Sequence, residues 1–334
     1  MDTGMMVTEQ VVRVRAPARL HLGFLDPGGR GARRFGGIGL ALDAPATSLT
    51  LRRAPAFSAE GAERARLARL LPEAAAALGL PGAFAVHASE AIPAHAGLGS
   101  GTQLALALAA GLRTLAGLPL DVGGDAVRLG RGARSGVGAA FFTGGGVVVD
   151  GGRNEGRDRP APVVAQLPFP EAWRVLLILQ PSAAGFHGAD ELAAFAALPP
   201  FPREATAENC RLVLMQALPA LAERDVAGFG DAVETIQTAV GTHFAPAQGG
   251  VFASPAVARL AARLKSLGAR GVGQSSWGPT GFAFAGSEAE AARIVEAAGG
   301  QARDEGLVLA VARGRNEGAT IEAPPAGARL ARAV

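Results

Sequence analysis

The chain has 334 residues, 49% hydrophobic and 18% charged, with 32 Lys and Arg against 29 Asp and Glu for a net charge of +3. That balance predicts one large or two ordinary folded domains and argues against disorder. A single lysine (Lys265), no tyrosine and 5% aromatics leave neither a basic tract nor stacking platforms for nucleic acid, and a lone cysteine (Cys210) excludes an intrachain disulfide or a multi-cysteine metal site.

In chain order, residues 11–15 alternate as a strand and 16–24 continue as a second extended segment. Asp26-Pro-Gly-Gly-Arg30 and Arg33-Arg34-Phe-Gly-Gly-Ile-Gly39 carry turn signals. They also bring one carboxylate and three arginines together in flexible backbone. Arginine suits bidentate binding of carboxylate or phosphate, and Asp26 could hold a hydrated Mg²⁺; the same residues also read as a solvated turn. Residues 40–42 and 48–53 read as strands, and 60–71 and 73–78 as helices that Pro72 interrupts. An alternating strand at 83–89 leads to the glycine-bearing loop Pro93-Ala-His95-Ala-Gly97-Leu-Gly99-Ser100-Gly101-Thr102-Gln103 and then to a helix over 104–116. Leu104, Leu108, Leu112 and Leu115 stripe that helix at spacings of four, four and three, which anchors one face. Unpaired N–H groups where it begins, with glycines that let backbone approach closely, suit phosphate or diphosphate; small residues for close packing are the plainer reading.

Residues 121–130 suggest another helix. Arg131-Gly-Ala-Arg134-Ser135-Gly-Val-Gly138 then precedes the apolar strand that ends at Asp150. Proline at 160, 162, 168 and 170 places a domain boundary there, giving units of 8–165 and 170–315. The second half reads as a strand at 175–180, a loop at 181–188 holding Ser182 and His187, and helices at 190–198, 205–221, 226–242 and 255–267. The glycine- and hydroxyl-rich turn 271–281, with Gln274, Ser275 and Ser276, is followed by a strand at 282–285, a helix at 287–298 and a strand at 307–313. The tail from 314 reads as loose. Cys210, inside a helical run, reads as a buried structural thiol. His21 and His87 read as packing residues, and His95 as a ligand contact or a loop residue. Residues 1–10 lack a signal peptide's pattern and no run is long and apolar enough for a membrane span, so a cytoplasmic protein without membrane association is expected.

Three glycine-rich segments in this order resemble the GHMP superfamily of small-molecule kinases. Residues 93–103 look like its phosphate-binding loop, 16–24 like its first motif and 271–281 like its third. One departure matters: where mevalonate-kinase-like members carry a catalytic aspartate after Ser-Gly-Val, this chain reads Ser135-Gly136-Val137-Gly138. The blocks Arg19-Leu-His21-Leu-Gly23-Phe-Leu-Asp26, Arg34-Phe-Gly-Gly-Ile-Gly-Leu40, Gly130 to Gly138 and Val149-Asp-Gly-Gly152 are similar to one branch of it, the β-ribofuranosylaminobenzene 5′-phosphate synthase family.

That resemblance implies an α+β, two-domain fold, with an N-terminal β-α-β domain bearing the glycine loop and a ferredoxin-like C-terminal domain. It implies a pentosyltransferase: decarboxylative condensation of phosphoribosyl pyrophosphate with 4-aminobenzoate or an analogue, releasing CO₂ and pyrophosphate at the start of the methanopterin pathway. Mg²⁺ and a homodimer are expected with it. The roles it implies are catalysis by Asp26, Arg30, Arg33 and Arg134, with Asp26 at the metal. Substrate binding falls to Arg19, His21, Arg34, His95, Gly97, Gly99, Ser100, Gly101, Thr102, Gln103, Arg131, Ser135, Gln274, Ser275 and Ser276. An ATP-dependent kinase and a non-catalytic ligand-binding relative are the alternatives.

Overall fold

The computed structural model describes residues 10–28, 33–131, 136–154, 159–181 and 197–323. Two long antiparallel strands, β1 (Val11–Asp26) and β2 (Arg33–Ala54), form the spine of the first sheet. β4 (Ala83–Glu90) pairs with the second half of β2, and the short β3 (Ser58–Gly61) lies parallel outside it. β5 (Val147–Asp150) pairs with Gly37–Leu40 of β2, β6 (Arg153–Asn154) with Arg33 and Arg34, and β7 (Val163–Leu167) lies outside β5. Alternate residues Val12, Val14, Leu49, Leu51, Phe84 and Val86 are buried against α1 (Arg64–Ala77) and α2 (Ser100–Leu115). α2 is buried on nearly all sides, so its start is held by the whole domain rather than by one apolar stripe.

Beyond the proline-rich crossing the chain forms a second, antiparallel sheet ordered β11-β8-β10-β9. Its strands are β8 (Arg174–Leu179), β9 (Arg270–Gln274), β10 (Gly281–Ala285) and β11 (Val308–Ala312). Counted within this sheet the order is 4-1-3-2, the ferredoxin-like arrangement expected. Its inner strands β8 and β10 are apolar on both faces because both are covered, while the edge strand β11 leaves Val308 and Val311 exposed. Leu176 and Ile178 of β8 meet two helices, Pro255–Ser266 and Glu288–Asp304, while Val175 and Leu177 join the core under Val226–Gln248. That last helix is wedged between the two sheets. Phe229, Ile236 and Phe244 on it share one continuous core with Leu20, Leu22 and Phe24 of β1. The two sheets therefore share a core, with no solvent layer between them.

Several expectations change. The glycines at 36, 37 and 39 lie inside β2 rather than in a turn, and 40–42 and 48–53 are one strand interrupted by a bulge where Ala18 faces Leu42 and Pro17 faces Ala46. Pro72 does not end its helix. Burial of Leu67, Leu70, Leu71, Ala74 and Ala75 carries α1 through it, and residues 60 and 61 belong to β3. Residues 137–143, in the glycine-bearing segment ahead of the Asp150 strand, form α4 (Val137–Thr143), which follows α3 (Val122–Arg128). The run 205–221 is α5 (Arg203–Leu212), a π-helical turn at Val213–Ala217 and α6 (Leu218–Glu223). Cys210 is exposed, because α5 turns Asn209 and Leu212 inward instead.

From 314 to 323 the tail is not loose, and residues beyond 323 lie outside the described residues. Gly314 bridges Leu42, Glu317 bridges Gly144, and β12 (Thr320–Glu322) pairs with Arg13–Arg15 of β1. The two crossings between the sheets are joined side by side: Phe169 N–H donates to Asn316 Oδ1 (2.7 Å), and Asn316 Nδ2 donates back to the Phe169 carbonyl (2.9 Å).

Candidate active site

The glycine loop joins β4 to α2 through three left-handed residues, His95 (φ 57°), Gly97 (φ 78°) and Gly99 (φ 77°). Gly99 is the residue before the helix, and no side chain caps it. Thr102 and Gln103 N–H both donate to the Gly99 carbonyl (3.2 Å each), which leaves the Ser100 and Gly101 amides, with the positive end of the helix dipole behind them, for an anion.

One flank of the loop is tied to the rest of the molecule. Arg19 N–H donates to the Leu98 carbonyl (2.9 Å) and Arg19 Nη2 to the Gly97 carbonyl (3.3 Å). Ser275 Oγ donates to the same Gly97 carbonyl (2.7 Å) and accepts from His21 N–H (3.0 Å). A fully buried serine from the second domain thus clamps the loop to β1. Its own turn is held by Gln274, whose Oε1 accepts from Ala253 N–H (2.6 Å) and whose Nε2 donates to Gln248 Oε1 (3.2 Å); Gln274 N–H donates to Gln237 Oε1 (2.8 Å). Ser276 lies beside Gln237 and Gln248 around a small crevice that His21 also lines.

The other flank faces guanidinium groups. A Cβ on Gly101 would sit 2.9 Å from Arg66 Nη2 and 3.2 Å from Arg131 Nη1. Burial first, then the charges of Arg66 and Arg69, lower the Arg131 pKa, with Glu73 opposing. Arg66 and Arg69 were not legible as site residues: on the sequence they are ordinary charges of an amphipathic helix.

Behind the loop, buried Gln103 donates through Nε2 to the Gly138 carbonyl (2.8 Å). A Cβ on Gly138 would lie 3.0 Å from Thr102 Cγ2, so this position is packed against the loop and holds no acid or base. The nearby buried carboxylate, Asp150, accepts from Gly136 N–H (3.1 Å) and Gly152 N–H (2.9 Å), which fixes the start of α4. Lys265 is exposed on the second domain and paired with Glu234.

The remaining expected residues lie further along β1 and β2. His21 is fully buried against Phe24, with ring centroids 4.2 Å apart, and its Nε2 has no hydrogen-bond partner. Burial, then the Arg19 charge, holds its pKa well below the usual imidazole value. The folded state therefore keeps His21 neutral while the unfolded chain protonates it below about pH 6.5. Stability should fall as pH drops from about 6.5 toward the lower folded value, by up to about tenfold in the unfolding equilibrium per pH unit. Urea titrations from pH 7.5 to 5 should show this slope in wild type and a shallower one in His21→Gln; equal slopes would refute the assignment.

Asp26 closes β1, seven residues past Arg19 and so roughly 20 Å along the extended strand. It lies beside Cys210, whose thiol pKa is raised first by partial desolvation and then by the Asp26 charge. Arg33 and Arg34 are exposed at the start of β2, and Arg33 Nη1 donates to the carbonyls of Gly152 (2.8 Å) and Gly151 (3.3 Å), bracing that turn. His95 is exposed in the loop. Arg30, Arg134 and Ser135, with Ser182 and His187, lie outside the described residues. The structure thus unites Arg19, Gly97–Gln103, Arg131 and Ser275, and sets Asp26, Arg33 and Arg34 at the far end of β1 and β2.

Mg²⁺ keeps several waters and uses one or two carboxylates with substrate phosphates. Among the described residues no three His, Cys, Asp or Glu converge on a metal position. Asp26 fits as one oxygen donor at the far end of β1 and does not fit a metal bound at the loop itself.

The N-terminal domain model of the GHMP kinases matches residues 65–146, and the C-terminal model matches 217–303. The β-ribofuranosylphenol 5′-phosphate synthase of Archaeoglobus fulgidus is 36% identical over 238 residues, 68% of this chain and 75% of that protein. The enzyme of the same name from Methanothermobacter thermautotrophicus is 32% identical over 296 residues, 82% of this chain and 88% of that one. The chain belongs to this GHMP-related synthase family. It is accordingly an enzyme of the transferase type. Homoserine kinase from Cytophaga hutchinsonii superposes with a TM-score of 0.67 at 17% identity, covering 96% of this chain and all of that one. Mevalonate diphosphate decarboxylase from Staphylococcus aureus superposes at 0.64 and 13%, covering 95% and 99%. These two likenesses establish the shared fold. No helix among the described residues is long and apolar enough to cross a membrane.

Proposed function

We propose that this enzyme condenses phosphoribosyl pyrophosphate with 4-aminobenzoate or its 4-hydroxy analogue, releasing CO₂ and pyrophosphate and forming a C-riboside 5′-phosphate for the methanopterin pathway. The observation that carries this is Gly138, packed against Thr102 where a family kinase would need a carboxylate. Decarboxylative coupling needs none. As the C1–O bond to pyrophosphate breaks, C1 becomes electron-poor and the ring carbon bearing the carboxylate attacks it. The electron pair of the ring–carboxylate bond returns to the ring as CO₂ departs, so no ring proton has to be removed.

What remains for the protein is holding and aiming charge. The amides at the start of α2, with Arg19 on their flank, hold the diphosphate. His21, neutral and buried, orients without titrating. Mg²⁺ bound with the substrate would neutralise phosphate oxygens, and Asp26 would hold a metal only at the far end of β1, away from the diphosphate. Arg33 and Arg34 stand with Asp26 at the far end of β1 and β2, roughly 20 Å along the strand from the loop, out of reach of a 5-phosphate whose diphosphate the loop holds. The relatives' names specify a phenol, which supports the hydroxy analogue, with 4-aminobenzoate the other candidate. A homodimer is the assembly expected, readable by sedimentation.

The test is to incubate the enzyme with phosphoribosyl pyrophosphate, Mg²⁺ and carboxyl-labelled 4-aminobenzoate or 4-hydroxybenzoate and to count released CO₂. Release that requires phosphoribosyl pyrophosphate and fails with ATP is the expected result. ATP-dependent phosphorylation of an alcohol without CO₂ release would overturn it.

A further inference from the structure

Resting on that reading, we infer that the cavity between α1, α2 and α3 is the subsite for the aryl acid, with Arg131 and Arg69 at its mouth receiving the carboxylate. The cavity holds about 220 Å³. That is room for one substituted benzene ring and too little for a nucleoside, since drug-sized sites start at about 300 Å³. Leu70, Ala74, Ala105, Leu108 and Leu129 give it apolar walls. Small residues on both facing helices, Ala74 and Ala77 on α1 and Ala105 on α2, leave the space open.

The charge around the mouth is unbalanced. Arg128 is taken by Asp121 (2.7 Å) and Asp125 (2.9 Å). Arg66 meets Glu63 at 3.5 Å. Arg131 is crowded by Arg66 and Arg69, and its Nε is buried with no hydrogen-bond partner. Like-charged guanidinium groups gathered over a half-buried mouth repel one another unless an anion sits among them. A carboxylate is the anion that an apolar body can bring, and the arginine fork matches it in two-point geometry. Glu73, the one carboxylate lining the cavity among the described residues, supplies an acceptor for a ring amino or hydroxyl group.

The placement also suits the reaction. Gly97 and Gly99 face Arg19 and the second domain, whereas Gly101 faces Arg66 and Arg131. Diphosphate on the first flank and the ring on the second put leaving group and nucleophile on opposite sides of C1. Phosphoribosyl transfer by direct displacement then inverts C1.

Equilibrium dialysis of labelled 4-aminobenzoate and 4-hydroxybenzoate, with pyrophosphate and Mg²⁺ present, tests this apart from turnover. Ala74→Leu, which fills the cavity, and Arg131→Gln should each weaken both aryl acids at least about tenfold. Ala74→Leu should keep phosphoribosyl pyrophosphate affinity within about twofold, which also reports that it folds. Should Ala74→Leu lose both ligands, Arg69→Leu on the exposed rim takes its place under the same criterion. Unchanged aryl-acid binding in a variant that keeps phosphoribosyl pyrophosphate, or no aryl-acid binding by wild type, would overturn the subsite. CO₂ release with unchanged aryl-acid binding in the variants would sink the subsite and leave the reaction standing. Weakened binding in the variants with no CO₂ from wild type would do the reverse.

Discussion

Gly97→Ala should abolish turnover, by at least about a hundredfold, and destabilise the protein by about 2–4 kcal/mol. Two independent costs meet at this position. Its φ of 78° is left-handed, where an L side chain is strained. A Cβ built there also runs into the Ser275 carbonyl oxygen and lies 3.1 Å from the Gly278 carbonyl oxygen, both backbone atoms with no rotamer to escape into. Relief requires the loop and the second domain to part, which breaks the Ser275 hydrogen bond to the Gly97 carbonyl and displaces the α2 amides. Gly79→Ala is the control: its φ is 65° but nothing lies within 4 Å of the new Cβ. It should cost about 1 kcal/mol and leave activity intact. Urea melts and steady-state assays on both variants decide the matter; equal effects would mean that the clash contributes nothing.

Asp125→Ala should be the most destabilising single change outside the site, at about 3–5 kcal/mol. Asp125 is almost wholly buried and accepts from Arg113 at both oxygens (Nε 2.6 Å, Nη2 2.8 Å) and from Arg128 at 2.9 Å. The hydrogen bond to Asp125 is the main reason the Arg113 pKa is raised. Removing the carboxylate leaves Arg113, itself buried at the far end of α2, with the Pro119 carbonyl and a distant Asp121 (3.7 Å). Replacing both partners by apolar residues, Arg113→Met with Asp125→Leu, should recover part of the loss because no buried charge is then stranded. Recovery in the double variant, measured by denaturant unfolding, separates a stranded charge from simple loss of packing.

The glycine loop, its flanking strand and the buried helix were legible because each rests on local chemistry: alternation, missing Cβ atoms and a four-residue apolar stripe. The ferredoxin-like order of the second sheet followed from the family likeness, and strand composition alone does not give it. Partners distant in sequence were not legible. α4 reads as a turn because Gly136 and Gly138 argue against a helix locally, while the carboxylate that anchors its first turn, Asp150, lies fourteen residues on. The strand beyond 314 has no apolar run, and it is held by Asn316 and by backbone pairing to β1. Arg66 became a site residue only when α1 laid it over Gly101.

The Phe169–Asn316 pair has a mechanical meaning. A domain tethered by one strand of chain can swing and twist about that tether. Here the outgoing and returning chain cross side by side and are bonded to each other, so neither can twist without the other. Ser275 on the Gly97 carbonyl is a second tie, and the continuous core of Phe229, Ile236 and Phe244 with Leu20, Leu22 and Phe24 fills the space between. The two halves are bolted at two points and glued along the seam, so the glycine loop is mounted on a frame made of both.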